Sequence, residues 1–138
     1  MADKQERISE TISDFLSRMD QLKKDYDWAI QEESRMEKLT QDYLHMLEFG
    51  DLDYRKRAAV AKAIKECRMK RRNSKDVIIT AEPVVDFLNG ERGKILTSQL
   101  QQVLGRVRKE EKFIEQRVYV PKILSQDVFD EYGSINHE

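Results

Sequence analysis

Five cations recur along one flank of a single segment: Arg57, Lys65, Arg68, Arg72 and Lys75. At about 100° per residue on a helix they fall within roughly one quadrant, beside an apolar seam and with few acids among them. Guanidinium groups so placed suit phosphate, because their planar forks offer paired donors at a surface partly shielded from water. A second group follows in Arg106, Arg108, Lys109 and Lys112, and Arg117 leads into Tyr119. Tyr119, Tyr26, Trp28 and Phe87 offer faces for stacking on a base. The expected ligand-binding set is Arg68, Arg71, Arg72, Arg108, Lys112, Arg117, Tyr119 and Phe87. The competing reading of any such run is a plain solvated face, which is what most charge runs are. An off-seam Trp28 likewise suits a subunit contact at least as well as a stacking platform.

Groups for covalent or acid–base chemistry are few. His137 lies in the terminal tail, His45 falls near the end of a helix, and Cys67 occupies a seam position that suits a buried, inert thiol. Nothing supplies an orienting third group or an oxyanion site, so no catalytic residue is expected. A single cysteine excludes an internal disulfide framework and a cysteine zinc site, and no metal or cofactor is expected. Gly90-Glu91-Arg92-Gly93-Lys94 lacks the spacer and the hydroxyl residue of a phosphate-binding P-loop, and the strands of an RNA-binding KH module are missing around it. It reads as a glycine-stopped turn between helices.

The elements that must position these groups are helical. Ile8, Ile12, Phe15, Met19, Leu22, Tyr26, Ala29, Glu33, Met36, Thr40, Tyr43 and Leu47 alternate at spacings of four and three, broken in polarity only at Glu33 and Thr40. Such a stripe must be covered by another helix. With no Gly or Pro before Gly50, one helix of about 65–70 Å is expected over residues 4–49, with Asp3 and Glu6 as its capping box. Leu16, Ile30 and Leu44 widen the stripe on one flank, and Leu39 and Met46 on the other. A second helix, 54–89 and capped by Asp51 or Asp53, keeps its own register through Val60, Ile64, Cys67, Arg71, Ser74, Ile78, Ala81, Val85 and Leu88. That register survives Pro83, so a helix bent there is preferred to a strand at Val77–Thr80. A third helix, 94–117, carries Leu96, Leu100, Val103, Val107 and Ile114 on its seam, with Gly105 inside it. Val118 to Pro121 then reads as extended, and Ser125 caps a last short turn over 127–132.

Folding the second helix back on the first sets Glu33 opposite Arg71 or Ser74, so both stripes break at one level. A register-fixing polar layer is the favoured explanation, and an internal site in which Arg71 awaits an anion is the alternative. The fold expected is therefore all-α: an elongated hairpin of two long helices plus a third, packed as an oligomeric bundle. Residues 1–123 form one domain and 124–138 an acidic tail.

Composition agrees with long helices that each bury one face: 37% charged and 39% hydrophobic residues, with a net charge of -1 from 25 basic and 26 acidic side chains. That balance argues against a general nucleic-acid coating protein. No apolar run is long enough to span a membrane and no signal-peptide core is present, so a cytoplasmic location follows by default.

Four stretches carry a resemblance: LTQDYLH (Leu39 to His45), RMKRRNSKD (Arg68 to Asp76), EPVVDFL (Glu82 to Leu88) and EQRVYVPKI (Glu115 to Ile123). With the length, they resemble small helical proteins of phages and prophages of Gram-positive bacteria, and in particular the Thoeris anti-defence sponges of the first type. The resemblance covers most of residues 8–123. It implies a non-enzymatic oligomer that sequesters a cyclic ADP-ribose-like immune signal; it assigns no ligand residue one by one, so the set named above rests on charge and position.

Three functions follow as expectations. The leading one is a binding protein that captures a small anionic nucleotide at an interface between subunits. The second is a helical interaction module, such as a phage inhibitor of a host protein, using the stripe of helix one and Trp28. A nucleic-acid adaptor is third and is opposed by the near-neutral charge.

Overall fold

A computed structural model describes residues 7–133, and every regular element within them is an α-helix. Helix α1 is Ile8–Phe49, α2 is Tyr54–Asn89, α3 is Glu91–Glu115 and α4 is Gln126–Gly133. No strand occurs among the described residues, so Val77–Thr80 belongs to α2. The β-branched run is tolerated because Ile78 faces inward while Val77 and Ile79 stand exposed. The Thr80 hydroxyl donates to the Asp76 carbonyl at 2.8 Å, in the turn before Pro83, and α2 continues through that proline. The expected capping box at Asp3 and Glu6 lies outside the described residues. Asp53, rather than Asp51, caps α2, accepting from the Lys56 N–H at 2.9 Å.

Helices α1 and α2 pack along one another. Their shared seam follows both four–three registers: Ala29 and Met36 on α1 are each 1% exposed, and Val60, Cys67, Ser74, Ala81, Val85 and Leu88 are buried on α2. Thr40, a polar position in the seam, is satisfied by its own helix, donating to the Met36 carbonyl at 2.7 Å. The ends and flanks of the α1 stripe stay open: Ile8, Phe15, Ile30, Leu44, Met46 and Leu47 are exposed.

The chain divides into two compact units, one ending at Leu104 and the other starting at Gly105. The boundary between these two units falls inside α3. In the first unit α3 starts at Glu91, directly after Gly90, and not at 94. The Gly90 N–H closes α2 onto the Asp86 and Phe87 carbonyls, and Gly90 alone makes the turn. Gly93 is what allows so short a connection. A Cβ there would overlap the Phe87 carbonyl and lie 2.7 Å from its carbon.

The expected α3 seam is a correction. Leu96, Val103 and Ile114 are exposed, Leu100 and Val107 are half-buried, and Leu104 is the buried apolar residue instead. Spacing identifies which side chains share a stripe, but the stripes of α1 and α2 already cover each other. In the second unit, residues 118–121 have no regular structure, as Pro121 demands. Ser125 caps α4: its carbonyl accepts from the Phe129 N–H at 3.0 Å, and its Oγ lies 3.5 Å from the Val128 N–H. The short turn expected over 127–132 is thus the helix Gln126–Gly133, and Phe129 on it meets Tyr119 with ring centroids 5.2 Å apart.

Candidate anion-binding groove

Heptad spacing on α2 turns one row of side chains into the seam and leaves the next row exposed along its edge. Ala61, Ile64, Lys65, Arg68, Met69 and Arg72 of that edge enclose a shallow groove of about 340 Å³. Ile64 reaches it from the seam, giving an apolar floor, while the three cations stand exposed around it. Among the described residues none of these cations is held in an ion pair, and Arg72 does not close on Asp76 one turn away. Three positive charges within two helical turns repel one another, so the groove is electrostatically prepared for an anion.

Arg71 lies at the border between groove and seam. It is half-buried, and its Nε is enclosed by protein with no hydrogen-bond partner. Glu33, expected opposite, is also half-buried, yet the two form no ion pair. The polar layer is present as a level in the seam but is not closed by contact. Ala29 and Ser74, among the most buried residues, belong to the same stretch, and neither gives the Arg71 Nε a partner.

The remaining expected ligand residues are dispersed. Phe87 is exposed on α2 but does not line the groove. It lies fifteen residues beyond Arg72, about 22 Å along the helix. Arg108, Lys112, Arg117 and Tyr119 belong to the second unit, where all four are exposed. Tyr119 spends one ring face on Phe129, the rings inclined at 36°. In the first unit only Arg68 and Arg72 of the expected set share a site, with Arg71 beside them and Lys65 completing it.

Two features escaped the sequence reading. Tyr26, half-buried on α1, has its phenol pushed above the ordinary value by burial, then by the carboxylates of Glu82 and Asp86 on α2 and of Asp27. That places an acidic patch further along α2 from the basic groove. The signal was available: Glu82 and Asp86 continue the same four–three spacing as Arg68 and Arg72. The second feature is a cavity of about 190 Å³ lined chiefly by Phe15, Leu16, Met19, Leu88, Leu96 and Leu100, where the start of α3 leaves apolar space beside α1. Only burial beyond spacing reveals it.

Cys67 is free and buried in the seam, and His45 sits 6.0 Å from Phe49, ring to ring. Among the described residues no cluster of His, Cys, Asp and Glu could hold a metal ion, and no helix is long and apolar enough to cross a membrane. No family model, curated protein or solved structure matches the chain.

Proposed function

We propose that this protein is a non-enzymatic binding protein that captures a small phosphate-bearing ligand on the basic edge of α2. The observation that carries the reading is the groove of Lys65, Arg68 and Arg72, three cations without an ion-pair partner among the described residues, over an apolar floor. Phosphate oxygens would be met by forked donors from the two arginines, and the ammonium of Lys65 would add charge without fixed geometry. The resemblance to Thoeris anti-defence sponges supplies the finer form: a phage-encoded helical hairpin, oligomeric in the host cytoplasm, sequestering a cyclic ADP-ribose-like immune signal. Arg108, Lys112, Arg117 and Tyr119 would then belong to a further ligand surface on the second unit.

The test is a thermal shift with cyclic ADP-ribose and related nucleotides, with mass spectrometry of anything released on heating the purified protein. A ligand at a hundredfold excess over its dissociation constant stabilises by about 2.7 kcal/mol. Charge reversal at Arg68 and Arg72 removes that shift while the helical circular dichroism signal persists, since both residues border the seam without filling it. Lysine at Arg68 restores little, because charge returns without the fork. If no nucleotide in a broad panel moves the melting temperature, the reading fails.

A second reading rests on Trp28, which is 62% exposed on α1. An exposed indole is a common anchor of protein interfaces. A host protein that co-purifies and is released by Trp28→Ala would put an interaction module in place of the ligand reading.

A further inference from the structure

Beside the buried seam, α2 carries a second ladder of the same spacing. Lys65, Arg68, Arg72, Lys75, Ile79, Glu82 and Asp86 recur at intervals of three and four, and every one of them is exposed. Charge is sorted along it: four cations, then Ile79, which is 62% exposed, then two acids. The nearest opposite charges on the ladder are Lys75 and Glu82, seven residues apart. Helical side chains neutralise one another at separations of three or four, so this row cannot close on itself. Among the described residues none of its six charged members forms an ion pair.

We infer that this ladder is a self-complementary docking face whose occupant is a second copy of the chain, α2 against α2 in antiparallel orientation. The argument is charge complementarity carried on a fixed period. Helices that meet along a four–three ladder interlock in layers, and running them antiparallel places one position of the repeat opposite the other. With the two-fold axis at the level of Val77, Arg72 meets the second copy's Glu82 and Arg68 meets its Asp86. A two-fold contact makes each pair twice, giving four arginine–carboxylate pairs from one register. Lys75 lays its aliphatic stem over the second copy's Ile79 and keeps its ammonium in water. Running the helices parallel and in register would instead set cation against cation and acid against acid.

Docking and ligand capture draw on the same Arg68 and Arg72, so a second copy and a phosphate compete for these guanidiniums. Glu82 and Asp86 belong to docking alone, so the two readings fail separately. The test is sedimentation of the full chain at low ionic strength as wild type, as Glu82→Arg/Asp86→Arg, as Arg68→Glu/Arg72→Glu, and as an equimolar mixture of the two variants. Wild type is expected at twice the 16.4 kDa protomer mass, or a higher even multiple. Each variant alone is expected at half the wild-type mass, because every reversed layer then opposes like charges. The mixture regains the wild-type mass, since each contact between the two variants is again of opposite sign. Unchanged circular dichroism separates dissociation from unfolding, and Glu82→Gln/Asp86→Asn provides a neutral version that also loses association. A wild type that stays at the protomer mass, a Glu82→Arg/Asp86→Arg variant that keeps the wild-type mass, or a mixture that does not reassociate overturns the inference. Glu82→Arg/Asp86→Arg leaves the basic groove intact, so its thermal shift with nucleotide reports on the ligand reading alone.

Discussion

At the residue scale, two glycines of α3 make opposite predictions from the same chemistry. Gly93 abuts the Phe87 and Leu88 backbone. Gly93→Ala must therefore push α3 away from the end of α2, and a loss of about 1–3 kcal/mol is expected from overpacking, read as a lower urea midpoint. Gly105 meets nothing within 4 Å of where a Cβ would stand. Gly105→Ala should instead stabilise by about 0.5–1 kcal/mol, through helix propensity and a less flexible unfolded chain. Arg71 tests whether its buried Nε is a burden. An apolar replacement such as Arg71→Met keeps the stem's packing and removes the unpartnered donor, so it should be neutral or stabilising. A double-mutant cycle of Arg71 and Glu33 within the isolated chain should be additive, because the two make no ion pair. Tyr26 sets an alkaline limit. Its folded-state value lies above the ordinary 10.0, so the neutral phenol contributes stability that is complete below 10.0 and is lost as pH rises through the raised value. Tyr26→Phe should flatten that alkaline loss in denaturation midpoints measured on both sides of 10.0.

At the scale of elements, α2 and the C-terminal end of α1 were legible because each helix repeats a two-valued spacing over many turns. Helix α1 starts at Ile8 and not at residue 4, since Arg7 before it is extended. Periodic burial leaves its mark on every turn, and Pro83 interrupts the hydrogen-bond pattern without shifting the phase. The start of α3 was not legible. Two glycines with charged residues between them read as a turn, whereas Gly93 serves to admit a backbone at close range. The α3 seam was misread for a different reason: spacing says which residues share a stripe but not whether a partner remains to cover it. The groove was half legible. Arg68 and Arg72 share a quadrant by arithmetic alone, but residues 105 and beyond form a unit of their own, which no helical phase could reveal. Met36 gives the element-scale prediction. At 1% exposure against α2 of the same chain, Met36→Asp should unfold the α1–α2 pair, because a buried carboxylate there has no partner. Loss of helical signal is the expected readout, so this substitution tests the fold and not the assembly.

At the scale of the whole molecule, the prediction concerns salt. If α2 docks on α2 through paired charges, association weakens steeply with ionic strength, whereas the apolar α1–α2 seam does not. Sedimentation and thermal unfolding measured in parallel across a salt series should therefore diverge, with the protomer outlasting the assembly. Cys67 gives access to the same question from inside. It is the chain's one thiol, 5% exposed midway along the seam. A disulfide reagent reaches it only when α1 and α2 part, so the modification rate is the reagent's rate on the open chain multiplied by the fraction of time spent open. The thiol is thus a clock set into the joint of the two helices. A ligand on the edge of α2 or a second copy docked beside it should slow that clock by the factor it adds to stability, with no residue changed.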